Sequence, residues 1–285
     1  MLRRIWQAWA NRAKLIAPFY RHDPNVFVTH QLITRTTTPE PADLNLPLLQ
    51  PYEGLAKLWH EHTRLRQPDY TSFLSGLRQL RGISLKSVLD LACGTGILAA
   101  RLSEVADEVV GVDASEPMLA QARTHYAGLP GVEVKWGDFR DLGLDREFDV
   151  AVCAFNSLNY LHEIGELDRV FTSVSRHLRP GGVFVFDTNT CVGMRNLSGL
   201  QIYHETEGVR WAMYFTFNHH DRVEVATVVL PTGVELHRRI PIDPSDVIAA
   251  AHRTGLQVDE YFSHALIPGR WLSGGACFFV LSKRN

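Results

Sequence analysis

The chain has 285 residues, long enough for one large α/β domain with an insertion or for a domain with a small cap. Its residues are 45% hydrophobic and 21% charged, as in a globular protein, and a formal net charge of −2 leaves no basic excess to release counterions. That balance argues against nucleic acid as a main partner; four cysteines (Cys93, Cys153, Cys191, Cys277) without paired short spacing exclude a zinc ribbon and fit a reducing cytoplasm.

In chain order, the first feature is residues 1–20, where Leu2, Ile5, Trp6, Trp9, Ala13 and Ile16 recur at helical spacing among Arg3, Arg4, Arg12 and Lys14. The basic residues interrupt any secretory core. This N-terminal helix suits either packing on the protein, the favoured reading, or peripheral contact with an anionic membrane surface. No apolar run approaches the roughly 20 residues needed to span a bilayer. Residues 34–51, with TRTTTPEP and two later prolines, read as a linker, so 1–50 form a helix-and-linker unit before a domain at 51–285.

From residue 85 the texture alternates. Apolar runs at 87–91, 109–113, 132–136, 148–155 and 183–187 predict strands, with helices at 96–103, 116–127 and 163–178 between them. That alternation predicts a doubly wound, mostly parallel sheet whose ligands bind beyond the carboxyl ends of the strands. Residues 209–240, rich in β-branched and aromatic side chains, predict an antiparallel β-meander inserted as a substrate cap over about 200–242. A helix follows at 244–254, with Pro244 at its first turn and Gly255 as its stop. Strands near 258–265 and 276–282 complete seven, the last expected to be antiparallel.

The segment SVLDLACGTGILAARL (87–102) is a strand, a glycine turn and a helix start, so helix-start amides face a ligand that the backbone can approach closely. Gly94-Thr95-Gly96-Ile97-Leu98-Ala99 satisfies the dinucleotide fingerprint, and Asp113 follows about 20 residues on. Asp90 decides between cofactors: a strand-end carboxylate repels a pyrophosphate and attracts a sulfonium and an ammonium.

In these residues the chain resembles class I S-adenosylmethionine-dependent methyltransferases. Their first motif appears as Asp90-Leu91-Ala92-Cys93-Gly94-Thr95-Gly96, with Ala92 in place of a glycine, and the second as DEVVGVDASEPMLAQAR (107–123). VKWGDFRDL (134–142), FDVAVCAFNSLNYL (148–161) and HLRPGGVFVFDTN (177–189) resemble the next three. The resemblance implies S-adenosylmethionine as cofactor, held by Asp90, Ala92, Gly94, Gly96, Asp113, Ala114, Met118, Asp138, Phe139 and Phe155. Asp113 would accept from ribose hydroxyls, Met118 and Phe139 would flank the adenine, and Asp138 would accept from its amine. No metal is expected; His204, His219, His220 and His237 of the meander region lack ligand spacing, and His219-His220 reads as a solvated turn.

Residues 51–77 resemble the lead segment of bacterial small-molecule methyltransferases and of glycine N-methyltransferase, with Trp59, Thr63, Arg64 and Tyr70 in matching order. By that likeness Trp59 and Arg64 would close the cofactor pocket, and Tyr52 would face the methyl group. Asn189 stands where glycine N-methyltransferase has an arginine for the substrate carboxylate, leaving Arg195, Arg210 or Arg270 as substitutes. The loop 156–162 supplies Asn156 and Asn159 to orient an amine, Tyr160, and His162 as a base. The expected activity is methyl transfer to a nitrogen of a small amine or amino-acid-like metabolite. O-methyl transfer and a non-catalytic cofactor-binding subunit are the alternatives, and the oligomeric state is left open.

Overall fold

A computed structural model describes residues 33–35, 38–64, 69–263 and 275–284. The N-terminal helix expected at residues 1–20 lies outside them. Short strands β1 (Ile33–Arg35) and β2 (Leu48–Leu49) precede helices α1 (Leu55–Thr63) and α2 (Tyr70–Arg81). The core then alternates β3 (Ser87–Leu91), α3 (Ile97–Leu102), β4 (Glu108–Asp113), α4 (Glu116–Tyr126) and β5 (Val132–Trp136). It continues through β6 (Phe148–Cys153), α5 (Glu166–His177) and β7 (Leu178–Asn189). Helix α6 (Cys191–Leu197) leads into β8 (Leu200–Thr206), β9 (Val209–Asn218), β10 (Val223–Leu230) and β11 (Gly233–Arg239). Helix α7 (Pro244–Thr254), β12 (Leu256–Ser263) and β13 (Ala276–Lys283) close the chain.

Ser87–Leu91 and Phe148–Cys153 are buried at every position, because central strands of a parallel sheet are covered on both faces. They sit in the middle of a seven-stranded sheet ordered β12-β13-β7-β6-β3-β4-β5. Only β13 runs antiparallel to its neighbours. One face is packed by α5 and α7 through Leu167, Val170, Phe171, Val247 and Ala251, and the other by α2 and α3 through Phe73, Leu77, Leu98 and Leu102. Helix α7 begins and ends where its chemistry requires: Asp243 and Asp246 form a reciprocal capping box, and Gly255 stops it at φ +75°.

The meander is the middle of a second, six-stranded sheet, β1-β8-β9-β10-β11-β2. Residues 34–51, expected to be a linker, contribute both edges of it: β1 pairs antiparallel with β8, and β2 parallel with β11. Their strand partners lie far along the chain, so local Pro and Thr content conceals the pairing. Among the described residues no helix is long and apolar enough to cross a membrane.

Two backbones touch beside the last strand. A Cβ on Gly275 would lie 2.0 Å from the Gly193 Cα in α6, and the Thr190 N–H donates to the Gly275 carbonyl at 2.7 Å. Gly275→Ala is therefore expected to lower stability by about 2–3 kcal/mol, an overpacking cost. Denaturant unfolding checks it, and an unfolding midpoint equal to that of the unmutated chain would disprove the contact.

Candidate functional site

The chain passes from β3 into α3 through five residues with Ala92, Gly94 and Gly96 at φ +53°, +57° and +79°. Only glycine adopts that region freely. Ala92 bears some strain there, and a Cβ on Gly96 would press at 3.1 Å on Ala122 and Tyr126 of α4. Cys93 hangs beneath the loop against Gly111, and its N–H donates to the Val112 carbonyl at 3.1 Å, tying the turn to β4.

Two carboxylates face each other across this turn. Asp90 is 1% exposed and its Oδ2 has no hydrogen-bond partner. Burial, with Asp113 nearby, holds its carboxyl well above the usual carboxylate range. Asp113 Oδ2 accepts from the Gly94 N–H and Oδ1 from the Ser115 N–H, both at 2.8 Å. Burial still raises its pKa, more than these bonds lower it. A buried, unpaired carboxylate is costly unless a cation completes it.

Both acids line a cavity of about 530 Å³ between the strand ends and the second sheet. The structure brings Tyr52, Trp59, Ala92, Gly94, Ala114 and Met118 to its wall, with Asp138, Phe139, Phe155, Tyr160 and His162. It leaves four expected residues off that wall: Arg64, Gly96, Asn156 and Asn159. Arg64 points outward, 52% exposed, with its Nε donating to Glu61 at 2.7 Å. Gly96 serves the turn. Asn156 is at φ +56°, donating its N–H to Asp187 at 2.9 Å. Asn159 does not reach the cavity either. Its amide is consumed by the Asn189 N–H and by the Asn189 and Ile240 carbonyls, so it fastens the strand end at which an arginine was missing. Of the arginines considered as substitutes, Arg195 is exposed and Arg210 pairs with Glu205, while Arg270 lies outside the described residues. Arg140 and Arg239 occupy the wall instead. Asp138, expected to accept from an adenine amine, is gripped by the Arg140 guanidinium, which also reaches Glu166 at 2.7 Å. Burial raises the Asp138 pKa, but the Arg140 hydrogen bonds outweigh it and leave a net lowering.

Sequence reading placed a cap here but missed the side chains that line it. On β11, Glu235, His237 and Arg239 alternate, which puts them on one face of the strand. Tyr52 donates to the Tyr160 hydroxyl at 2.7 Å, Tyr160 meets His237 Nδ1 at 3.0 Å, and His237 Nε2 meets Glu235 at 2.9 Å. Glu235 also accepts the N–H groups of Tyr52, Gly54 and Leu55 at 2.8, 2.7 and 2.8 Å, capping α1 with a full charge. Arg239 is paired with Glu224, its partner in register on β10. Three titratable residues at alternate positions of GVELHRR were the available signal.

Among the described residues, His60, Glu61 and His125 bring donor atoms within 4.8 Å of one another. The two rings are stacked at 3.7 Å and 5°, so their in-plane lone pairs run parallel and do not converge on one ion.

Residues 88–182 match a family model described as a methyltransferase domain. The fold is shared with an S-adenosylmethionine-dependent methyltransferase from Clostridium acetobutylicum, at TM-score 0.68 and 21% identity over 82% of this chain and 99% of that one. It is also shared with DesVI from Streptomyces venezuelae, at TM-score 0.63 and 24% identity over 87% and 100% of the two chains. Among curated proteins the chain is 33% identical over 141 residues to a putative methyltransferase from Bacillus subtilis, covering 49% of this chain and 56% of that protein. It is 36% identical over 125 residues to a dTDP-3-amino-3,4,6-trideoxy-glucopyranose N,N-dimethyltransferase from Streptomyces venezuelae, covering 43% and 52%. The chain spans about half the length of these relatives. Residues 88–182 thus resemble a methyltransferase domain, and the unpartnered Asp90 oxygen beside an open glycine turn fits the cation of S-adenosylmethionine.

Two outcomes test this geometry. Asp113→Ala should weaken S-adenosylmethionine binding at least tenfold, about 1.4 kcal/mol, by calorimetry. Unchanged affinity would remove Asp113 from the cofactor's contacts. Asp187, at the end of β7, has its pKa raised from 3.8 to about 6 by burial, although Tyr70 and the Asn156 N–H donate to it. The folded state thus binds this proton more tightly than the unfolded chain. Its contribution is full below about pH 4 and is lost as pH rises through about 6, roughly 3 kcal/mol in all. Unfolding free energies at pH 4 and 7 should show the difference between the native chain and Asp187→Asn changing by that order, the native chain gaining at pH 4. A constant difference would contradict the assignment.

Proposed function

We propose that the protein transfers a methyl group from S-adenosylmethionine to a nitrogen of a small amine-bearing metabolite. The observation that carries this reading is the unpartnered buried carboxylate of Asp90 at the mouth of the glycine turn. Asp90 would meet the methionyl ammonium and Asp113 the ribose hydroxyls, while Met118 and Phe139 would flank the adenine. The cofactor supplies an activated methyl on a sulfonium. The protein's share is to hold the acceptor in line with it and to exclude water.

In this reading residues 51–285 act as one unit, with the second sheet roofing the acceptor, and the four free cysteines suit a reducing cytoplasm. Nitrogen is favoured over oxygen by the relatives named as amino-sugar N,N-dimethyltransferases, such as those of Streptomyces venezuelae and Saccharopolyspora spinosa. A panel of amines headed by dTDP-3-amino sugars, incubated with S-adenosylmethionine and read by mass spectrometry, tests it. N-methylated product together with S-adenosylhomocysteine is expected. Methylation only at hydroxyls would move the reading to O-methyl transfer, and tight cofactor binding without any turnover would leave a non-catalytic binding protein.

A further inference from the structure

An aliphatic amine at neutral pH is an ammonium with no lone pair to offer, so a nitrogen acceptor must lose a proton before it can attack. The roof of the cavity holds an uninterrupted line of groups that could take it. Tyr52, Tyr160 and His237 all line the cavity. Their hydrogen bonds run 2.7 Å from Tyr52 to Tyr160, 3.0 Å from Tyr160 to His237 Nδ1, and 2.9 Å from His237 Nε2 to Glu235.

The wiring has one direction. Tyr52 gives its hydroxyl proton to Tyr160; the ionised Glu235 accepts from Nε2–H, which in a neutral imidazole leaves Nδ1 to accept from Tyr160. The oxygen of Tyr52 is left as an acceptor at the open end. Placement of that oxygen is enforced: Tyr52 sits at φ +68°, which a non-glycine residue holds only when its surroundings impose it. Glu235 is the group that imposes it, through the N–H groups of Tyr52, Gly54 and Leu55.

Resting on the methyl-transfer reading above, we propose that Tyr52 and Tyr160 conduct the acceptor's proton to His237, with Glu235 as the residue that positions the imidazole. The proton leaves the acceptor nitrogen for the Tyr52 oxygen, the Tyr52 proton passes to Tyr160, and the Tyr160 proton passes to Nδ1. The product of this shift is a neutral amine and an imidazolium facing the Glu235 carboxylate. The freed lone pair then forms the N–C bond as the C–S bond of the sulfonium breaks and its electron pair returns to sulfur.

The electrostatics support both ends. Glu235 stays ionised: burial pushes its carboxyl up, but the His237 hydrogen bond and three backbone N–H groups hold it below the usual range. Both phenols stay neutral, their pKa values raised chiefly by burial, and so they pass protons without storing charge. The charged and titratable groups around the imidazole are Glu235 and Arg239 on its own strand, Glu224 on β10, Tyr160 from the turn at Ser157–Tyr160, and the Tyr52 ring with its centroid 4.8 Å away. Glu224 offsets the Arg239 charge that would otherwise oppose an imidazolium.

The test combines a spectroscopic and a kinetic arm on the full chain. Long-range proton–nitrogen spectra, with the His237 signals assigned by His237→Gln, should show Nε2 protonated and Nδ1 bare. The opposite tautomer would overturn the wiring. This arm needs no acceptor, so an absence of turnover on amines counts against the methyl-transfer reading and leaves the wiring decided separately. With a dTDP-3-amino sugar as probe, Tyr160→Phe and His237→Gln should each lower kcat about 10²-fold at pH 7 with KM changed less than about threefold. Those deficits should shrink as pH rises and the free amine accumulates in solution. A loss of equal size at every pH would show a purely structural role and overturn the proposal. Glu235→Gln, which keeps the shape, should retain cofactor binding by calorimetry and lose kcat. Native kcat in that variant would remove Glu235 from the proposal.

Discussion

The structure turns on one buried carboxyl oxygen without a partner. Asp90 sits in the central strand of the parallel sheet, buried on both sides, with a carboxylate oxygen that no protein group satisfies. A hydrophobic core tolerates such a group only where it takes up a proton or a ligand completes it, because an isolated buried carboxylate is strongly disfavoured. The surrounding architecture follows from placing that oxygen at an open edge. β3 must be central and apolar to bury the rest of the residue, the chain must turn away at once, and Ala92, Gly94 and Gly96 make that turn. Asp113, one strand over, meets the same turn through the Gly94 N–H.

The second constraint holds the roof. Glu235 joins β11 to residues 52–55 through three backbone N–H groups, so the strand of the inserted sheet and the start of α1 are fixed to each other. This carries Trp59 and Thr63 to the cavity wall and leaves Tyr52 directed at Tyr160. A single carboxylate therefore caps a helix, ties the roof of the cavity to it and meets an imidazole. Inside the roof the Arg239 charge is offset by its partner Glu224.

What could be read from the sequence depended on how far apart the interacting residues lie. Buried strands such as Phe148–Cys153 announce themselves because both faces are apolar, and α7 does so because its cap, its proline and its glycine are local. The crevice that holds Asp90 and Asp113 was legible because its parts lie at the ends of successive strands. Helices α1 and α2 are anchored from afar, α1 by Glu235 about 180 residues on and α2 by the Tyr70 hydroxyl on Asp187, so neither stands out in its own segment. The strands at 33–35 and 48–49 exist only because β8 and β11 offer edges to them. Arg64 was assigned by likeness to other chains and Asn156 by its loop beyond β6, and here one pairs with Glu61 on the surface while the other supports Asp187. His237 was passed over as one of several histidines, since only the fold reveals that it lies between Tyr160 and Glu235.

The measurement closest to the central claim is a calorimetric titration of the full chain with S-adenosylmethionine, run beside NAD. A crevice closed by Asp90 and Asp113 should bind the sulfonium cofactor with one site and micromolar affinity and show no heat with the pyrophosphate cofactor. Silence with S-adenosylmethionine, or saturable binding of NAD in its place, would contradict the account of the buried carboxylate.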